Sequence, residues 1–225
     1  MPDDRGVFLD QTWRLDPSIC TFISEEFYDG RLKPAESIDR KIENRRNGLF
    51  WIPVPHDDDE PSVDENQKEA KKIAEIIASF MDGSKVIDDG CGRTIGIEDF
   101  MIVAPFNRQR KRIRETLQHD LGIDFSTADS IVGTVDKFQG RQAPVVLYSL
   151  TTSSYDSIPK GREEFLFLPN RFNVAVSRAQ CMAFLIGSET LIDTRASTIP
   201  EMRALNHFCR YVYDPSLKSS QDFND

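Results

Sequence analysis

The sequence predicts an α/β fold built on a parallel sheet with helices on both faces. Strand and helix signatures alternate along the chain, which is the pattern of such sheets. The strand candidates "FMIVAP", "IVGTV" and "PVVLYSL" are near-continuously apolar, as strands covered on both faces are. At 225 residues and 39% hydrophobic composition the chain can bury one substantial core, so one large domain with insertions fits better than two small ones.

The elements follow in order. "LDPSICTFISEEFYDGRL" reads as a short helix with Asp16 as N-cap, Pro17 at the first helical position and Gly30 past the end. "GLFWIPV" reads as a strand, and the acidic stretch at about 55–66, containing "HDDDEPSVDEN", as a solvated loop. From Asn66 to Met81, Ile73, Ile76, Ile77 and Phe80 recur at helical spacing, with Lys and Glu on the other face. "DGSKVIDDGCGRTIG", residues 82–96, reads as an irregular glycine-containing loop. "FMIVAP" is followed by a basic amphipathic helix, "NRQRKRIRETLQHDLG", in which Asn107 is the expected N-cap, and then by the strands "IVGTV" and "PVVLYSL". "NRFNVAVSRA" is helical, "CMAFLIG" is a strand, and "PEMRALNHFCRYVY" places Met202, Leu205, Phe208 and Val212 on one helical face. The domain is expected to span 1–213, with 214–225 a flexible tail.

Composition narrows the function. No apolar run approaches a membrane span, and "MPDDRGVF" lacks the regions of a signal peptide, so the chain reads as cytoplasmic. The four cysteines and three histidines are scattered without metal-ligand spacing. A net charge of −9 argues against a surface coated for nonspecific nucleic-acid binding. The local run "RQRKRIR" leaves room for a cationic channel.

The stretch "VGTVDKFQGRQAPVVLYSL", residues 132–150, joins two buried strands through a loop carrying Thr134, Asp136, Lys137, Gln139 and Arg141. A plain turn needs only Gly, Asn or Pro, and these side chains suit phosphate or sugar. In open α/β sheets ligands bind at the carboxyl ends of the strands. "APFNRQ", "TVDKFQGRQ" and the loop before "NRFNVAVSRA" all read as strand-to-helix connections, so their polar residues are expected on one edge.

Four clusters in order, "QTWRLDPSICTFISEEFYDGRL", "MIVAPFNRQ", "VGTVDKFQGRQAPVVLYS" and "NRFNVAVSRAQCMAFLIG", resemble the second RecA-like domain of superfamily 1 helicases. The resemblance runs from near residue 9 to near residue 188 and is greatest to the 5′-to-3′ branch, which contains RNA-surveillance helicases and replication nuclease-helicases. It implies a P-loop NTPase-like fold and an ATP-dependent helicase that uses ATP and Mg2+ in an intact two-domain motor. By this resemblance Arg178, in "NVAVSRA", and Arg14, in "TWRLDP", are the arginines that reach the nucleotide phosphates. A guanidinium suits that task because it stays charged and offers a rigid fork of donors. Gly140 and Gln142 are implied at the nucleotide, and Thr134, Asn107, Arg108 and Gln109 at the nucleic-acid backbone.

The sequence departs from the family pattern at Trp13, Leu15 and Asp16, at Phe106, and at Gln142, where the family carries Glu. It also lacks a G-x-x-x-x-G-K-[ST] loop, and neither "DGSK" nor "VIDDG" replaces the phosphate-loop and magnesium-binding parts. The resemblance therefore implies a first motor domain, expected upstream in the native chain, with a RecB-type nuclease domain attached in some bacterial relatives. The expected partner is single-stranded nucleic acid, DNA ahead of RNA. The competing readings are a noncatalytic nucleic-acid or protein-interaction module derived from a helicase, and an α/β enzyme using Ser or Cys. The last has no G-x-S-x-G or Cys/His pairing behind it.

Overall fold

A computed structural model describes residues 8–36, 38–56, 64–152, 169–193, 198–213 and 218–219. Its centre is a six-stranded sheet in which every recorded pairing is parallel. The strands are β4 (Gly48–Pro53), β7 (Phe100–Val103), β8 (Val132–Gly133), β9 (Ala143–Ser149), β10 (Ala179–Gly187) and β11 (Lys218–Ser219), in the spatial order β11-β4-β10-β9-β7-β8. The remaining strands are short. β1 (Gln11–Thr12) pairs with β2 (Lys33–Pro34), and β3 (Arg40–Ile42) forms an antiparallel sheet with β5 (Lys85–Asp88) and β6 (Cys91–Thr94).

The strand alternation sorts side chains between two cores. Leu49 and Trp51 of β4 join one cluster, and Phe50 and Ile52 join the other. On the first face Ile19, Phe22 and Ile23 of α1 (Pro17–Phe27) pack with Phe172 of α5 (Pro169–Val176) and Tyr211 of α6 (Ile199–Tyr213). On the second face Ile73, Ile77 and Phe80 of α2 (Gln67–Phe80) pack with Ile113 and Leu117 of α3 (Asn107–Leu121) and Ile131 of α4 (Phe125–Ile131). Phe184 stacks on Phe50 at 5.0 Å between centroids, and truncating such a residue to Ala costs about 3–5 kcal/mol.

The local signals explain the element ends. Asp16 caps α1 by accepting from Ser18 N at 2.9 Å, and Pro17 opens the helix. Asn66 caps α2 through Glu69 N at 2.9 Å. Gly122 closes α3 at φ 66°, a conformation that favours glycine.

Several expectations are corrected. Residues 82–96 are not an irregular loop but contain the β5–β6 hairpin, which turns through Asp89 and Gly90 at positive φ. "IVGTV" gives only a two-residue strand, because Ile131 ends α4 and the chain leaves the sheet after Gly133. Asn107 is the first residue of α3 rather than its cap, the cap position being Phe106. Within the expected tail, Lys218–Ser219 pairs with β4, and 214–217 and 220–225 lie outside the described residues. No helix among the described residues is long and apolar enough to cross a membrane.

Candidate nucleotide and nucleic-acid site

The connection from β8 to β9 carries no α-helix, yet both strands are parallel to β7 and flank it. Residues 134–142 must therefore travel from the carboxyl edge of the sheet to its amino edge. They do so across the first face, where Phe138 is buried in the same core as Met101 and Val103. Gly133 permits the reversal, since a Cβ there would stand 2.6 Å from Lys137 Cδ and 2.9 Å from a Phe138 ring carbon. Gly140, at φ 81°, permits the second turn. Ala143 N then donates to Arg178 O at 3.1 Å, joining the amino ends of β9 and β10.

This crossover corrects the expectation of a single polar edge. Thr134 begins it at the carboxyl edge and Gln142 ends it at the amino edge. The predicted residues form two groups, one at each end of the same loop.

At the amino edge stand Arg14, Gln142 and Arg178. Arg14 precedes α1, and its segment is pinned beside β10 by Asp16 N donating to Gln180 O at 3.2 Å. Arg14 Nε donates to Gln142 Oε1 at 2.8 Å, and Arg14 Nη1 to Ser177 O at 3.4 Å. Arg178 sits where α5 gives way to β10, and its Nε is buried without a hydrogen-bond partner. Burial, together with the positive charge of Arg14, pulls the Arg178 pKa below the usual guanidinium range. Among the described residues neither arginine has a carboxylate partner. The adjacent Trp13 is 67% exposed.

At the carboxyl edge a cleft of about 540 Å3 is lined by Phe106, Asn107, Arg108, Arg110, Thr134 and Arg171, with Asp64 and Asp136 also on its wall. It unites three of the four residues expected at nucleic acid. The Thr134 hydroxyl accepts from Lys137 N at 3.3 Å, which leaves its own proton to donate. Asn107 is exposed. Arg108 is exposed but already faces acid, 3.6 Å from Asp64 and 3.3 Å from Glu65.

Gln109 is a correction. It is fully buried, and its amide is consumed inside the protein: Oε1 accepts from Asn66 N at 2.6 Å, and Nε2 donates to Asn66 O at 3.1 Å and Ser149 Oγ at 3.0 Å. It holds the α3 turn that carries Asn107 and Arg108 rather than facing a strand. The other half of this network is Glu69, also fully buried. Its carboxylate accepts from Ser149 Oγ at 2.5 Å and from Thr151 N at 2.9 Å to both oxygens, and lies 3.0 Å from His56 Nε2. Thr151 is held at φ 71°, which for a β-branched residue costs on the order of 1–3 kcal/mol. Glu69 offsets that strain with paired charge-assisted bonds.

Sequence reasoning missed Glu69 and Arg110. A signal for Glu69 existed, because it lies four residues before Ile73 on the apolar stripe of α2, where a carboxylate must be paired. No such signal set Arg110 apart within a run of basic residues.

The fold is RecA-like, a parallel sheet covered by helices on both faces. A sequence family described as an AAA domain matches residues 3–190. The chain belongs to this family, and the relatives it matches are superfamily 1 helicases. It is 28% identical over 202 residues to the DNA polymerase alpha-associated DNA helicase A of Schizosaccharomyces pombe, covering 82% of this chain and 28% of that protein. It is 32% identical over 156 residues to the human DNA replication ATP-dependent helicase/nuclease DNA2, covering 69% of this chain and 12% of that one. A third relative is the regulator of nonsense transcripts 1 homolog of Arabidopsis thaliana, at 26% identity over 205 residues, covering 84% and 15%. The chain thus spans under a third of each of these relatives.

Proposed function

We propose that this chain is the carboxy-terminal motor domain of an ATP-dependent helicase, giving two arginines to the nucleotide and a cationic cleft to a single strand. One observation carries the reading. Arg14 and Arg178 share a corner in which, among the described residues, no carboxylate pairs with either, and Arg178 Nε is buried unpaired. Two like charges held together with one desolvated are unfavourable unless an anion joins them, and a phosphate group is the anion that a pair of guanidinium forks fits.

The corner fits phosphate and not a metal, since its donors are cationic or neutral. ATP bound there with Mg2+ held by a first motor domain brings the phosphoryl group to be transferred. This chain's contribution is positional and electrostatic. Gln142 orients Arg14 through Nε and Ser177 O holds Nη1, which leaves Nη2 to face the phosphates. Arg178, half-buried between α5 and β10, stabilises charge on the transferring group, and its partial burial strengthens that interaction.

Residues 134–142 link the two sites physically. Thr134 donates to a backbone phosphate at one end, Gly140 and Gln142 meet the nucleotide at the other, and Phe138 fixes the middle in the core. Movement at either end is transmitted along nine residues anchored at one buried ring. Strand contacts by Asn107, Thr134 and Arg108 are to backbone, so they carry no base preference, and Arg108 must exchange Asp64 and Glu65 for phosphate.

The partners that follow are single-stranded DNA or RNA, with DNA placed first because one relative is named a DNA helicase and another a DNA replication helicase/nuclease. The name of the human relative includes a nuclease, and an attached RecB-type nuclease is part of the same proposal. The chain on its own is expected not to hydrolyse ATP, because it lacks a phosphate loop. Steady turnover by the purified 225-residue chain, insensitive to Arg178→Ala, would contradict this division of labour. Acquisition of strand-stimulated turnover only together with a first motor domain supports it.

A further inference from the structure

The cations of α3 differ in one respect that the sequence does not display. Arg108 pairs with Asp64 and Glu65, Lys111 lies 3.6 Å from Glu115, Arg112 lies 3.3 Å from Glu65, and Arg114 lies 2.6 Å from Asp129. Arg171, on the opposite wall of the cleft, lies 4.0 Å from Asp136. Arg110 has no ion pair or side-chain hydrogen bond among the described residues, and its Nε is buried without an acceptor. It is half-buried and lines the same cleft as Asn107 and Thr134.

We propose that Arg110 is a phosphate-binding residue of the carboxyl-edge cleft, taking a backbone phosphate of single-stranded nucleic acid alongside Thr134. This rests on the reading of the cleft given above. The acids on the cleft wall are already engaged, Asp64 by Arg108 and Asp136 by Arg171. A partly desolvated guanidinium whose Nε has no acceptor is unfavourable, and burial together with the charge of Arg114 pulls its pKa down against the attraction of Asp129, a carboxylate that Arg114 and Lys137 already engage. An incoming phosphate satisfies the fork with two parallel bonds. The Thr134 hydroxyl, which accepts from Lys137 N, donates its proton to the same backbone. Arg108, by contrast, enters only when its carboxylates release it.

The test is the salt dependence of strand binding. An intact helicase is titrated with a labelled oligothymidylate of about 20 nucleotides at several salt concentrations. Each lost phosphate contact lowers the slope of log K against log salt by about 0.7 for single strands. Arg110→Gln is expected to lose that amount of slope and roughly tenfold in affinity at moderate salt, as for one charge-assisted contact. Arg110→Lys keeps the charge and is expected to restore the slope with only partial affinity. Lys111→Gln, on the exposed face, serves as the control and is expected to leave the slope nearly unchanged.

Normal wild-type binding with an unaltered slope in Arg110→Gln overturns the Arg110 assignment alone. Absence of strand binding by the wild type overturns the cleft reading as well. Polyglutamate competing as effectively as oligothymidylate overturns the nucleic-acid assignment and gives Arg110 to an acidic protein surface. Because the slope counts charges rather than stability, a merely structural role for Arg110 does not reproduce the expected pattern.

Discussion

Arg14 and Gln142, separated by 128 positions in the sequence, meet at the amino edge of the sheet, where Arg14 Nε donates to Gln142 Oε1 at 2.8 Å. This occupies the acceptor that the family resemblance assigns to the ribose. Gln142 therefore divides one carbonyl between an arginine and any sugar hydroxyl. An intact helicase is expected to discriminate ATP from 2′-deoxy-ATP only weakly. Gln142→Glu adds a second oxygen and a charge, roughly doubling hydrogen-bond strength, and is expected to sharpen that preference severalfold. Competition binding of the two nucleotides checks it, and an unchanged ratio in the mutant removes Gln142 from the sugar.

The same bond makes Gln142 a positioning group for Arg14. Gln142→Leu leaves the fork unoriented, and turnover is expected to fall about tenfold, on the order of 1.4 kcal/mol, with a smaller change in nucleotide affinity. Steady-state kinetics separate the two effects. Equal losses in affinity and turnover would assign Gln142 to ground-state binding instead.

Thr134→Val preserves shape and removes one hydroxyl. Strand affinity is expected to drop about three- to tenfold, in line with one neutral hydrogen bond, while the salt slope stays constant because no charge is lost. Fluorescence anisotropy across a salt series distinguishes this from the Arg110 variants. Unchanged affinity would reduce Thr134 to its hydrogen bond with Lys137 N.

The Glu69 network supports the cleft from beneath. Glu69→Ala leaves Ser149 Oγ and Thr151 N without their acceptor and is expected to destabilise the fold by about 3 kcal/mol or more. A lowered urea midpoint with unchanged slope is the expected reading. Gln109→Leu is expected to act in the same way and to weaken strand binding through the displaced α3 turn. Full stability in both variants would show that the network is dispensable.

Much of the fold was legible because parallel strands covered on both faces write themselves as apolar runs. "PVVLYSL" and "CMAFLIG" could hardly be anything else, and α1 announced itself through Asp16 and Pro17. The missed elements share a different physics. β5 and β6 are short, largely exposed strands without apolar alternation, and α4, "FSTADSI", is one short helix of cap-forming residues. Candidate residues could be named from the sequence where a local motif marks them, as at Arg178 and Thr134. The surroundings of Gln109 and Arg110 were not legible, because they depend on which groups from distant segments meet them: Asn66 satisfies the first, and among the described residues no carboxylate forms an ion pair with the second.

Thiol reactivity follows burial. Burial pushes Cys20 up to about 11 and Cys181 up to about 12, so at neutral pH each is held as the protonated, unreactive form. A native thiol titration at pH 7.5 is expected to label exposed Cys91 first and Cys209 more slowly, with Cys20 and Cys181 reacting only after unfolding. Rapid labelling of all four in the native protein would contradict the packing of α1 and β10.

The most direct test of the account is strand-stimulated ATP turnover in an intact helicase carrying Arg178→Ala and, separately, Arg178→Lys. An arginine that acts on charge developing during phosphoryl transfer is expected to lose roughly a hundredfold or more in turnover as Ala, with a smaller loss in ATP affinity. Lysine is expected to recover only a small part, since it keeps the charge but not the fork. Wild-type turnover in Arg178→Ala would contradict the assignment of this half-buried guanidinium, unpaired at Nε, to the nucleotide.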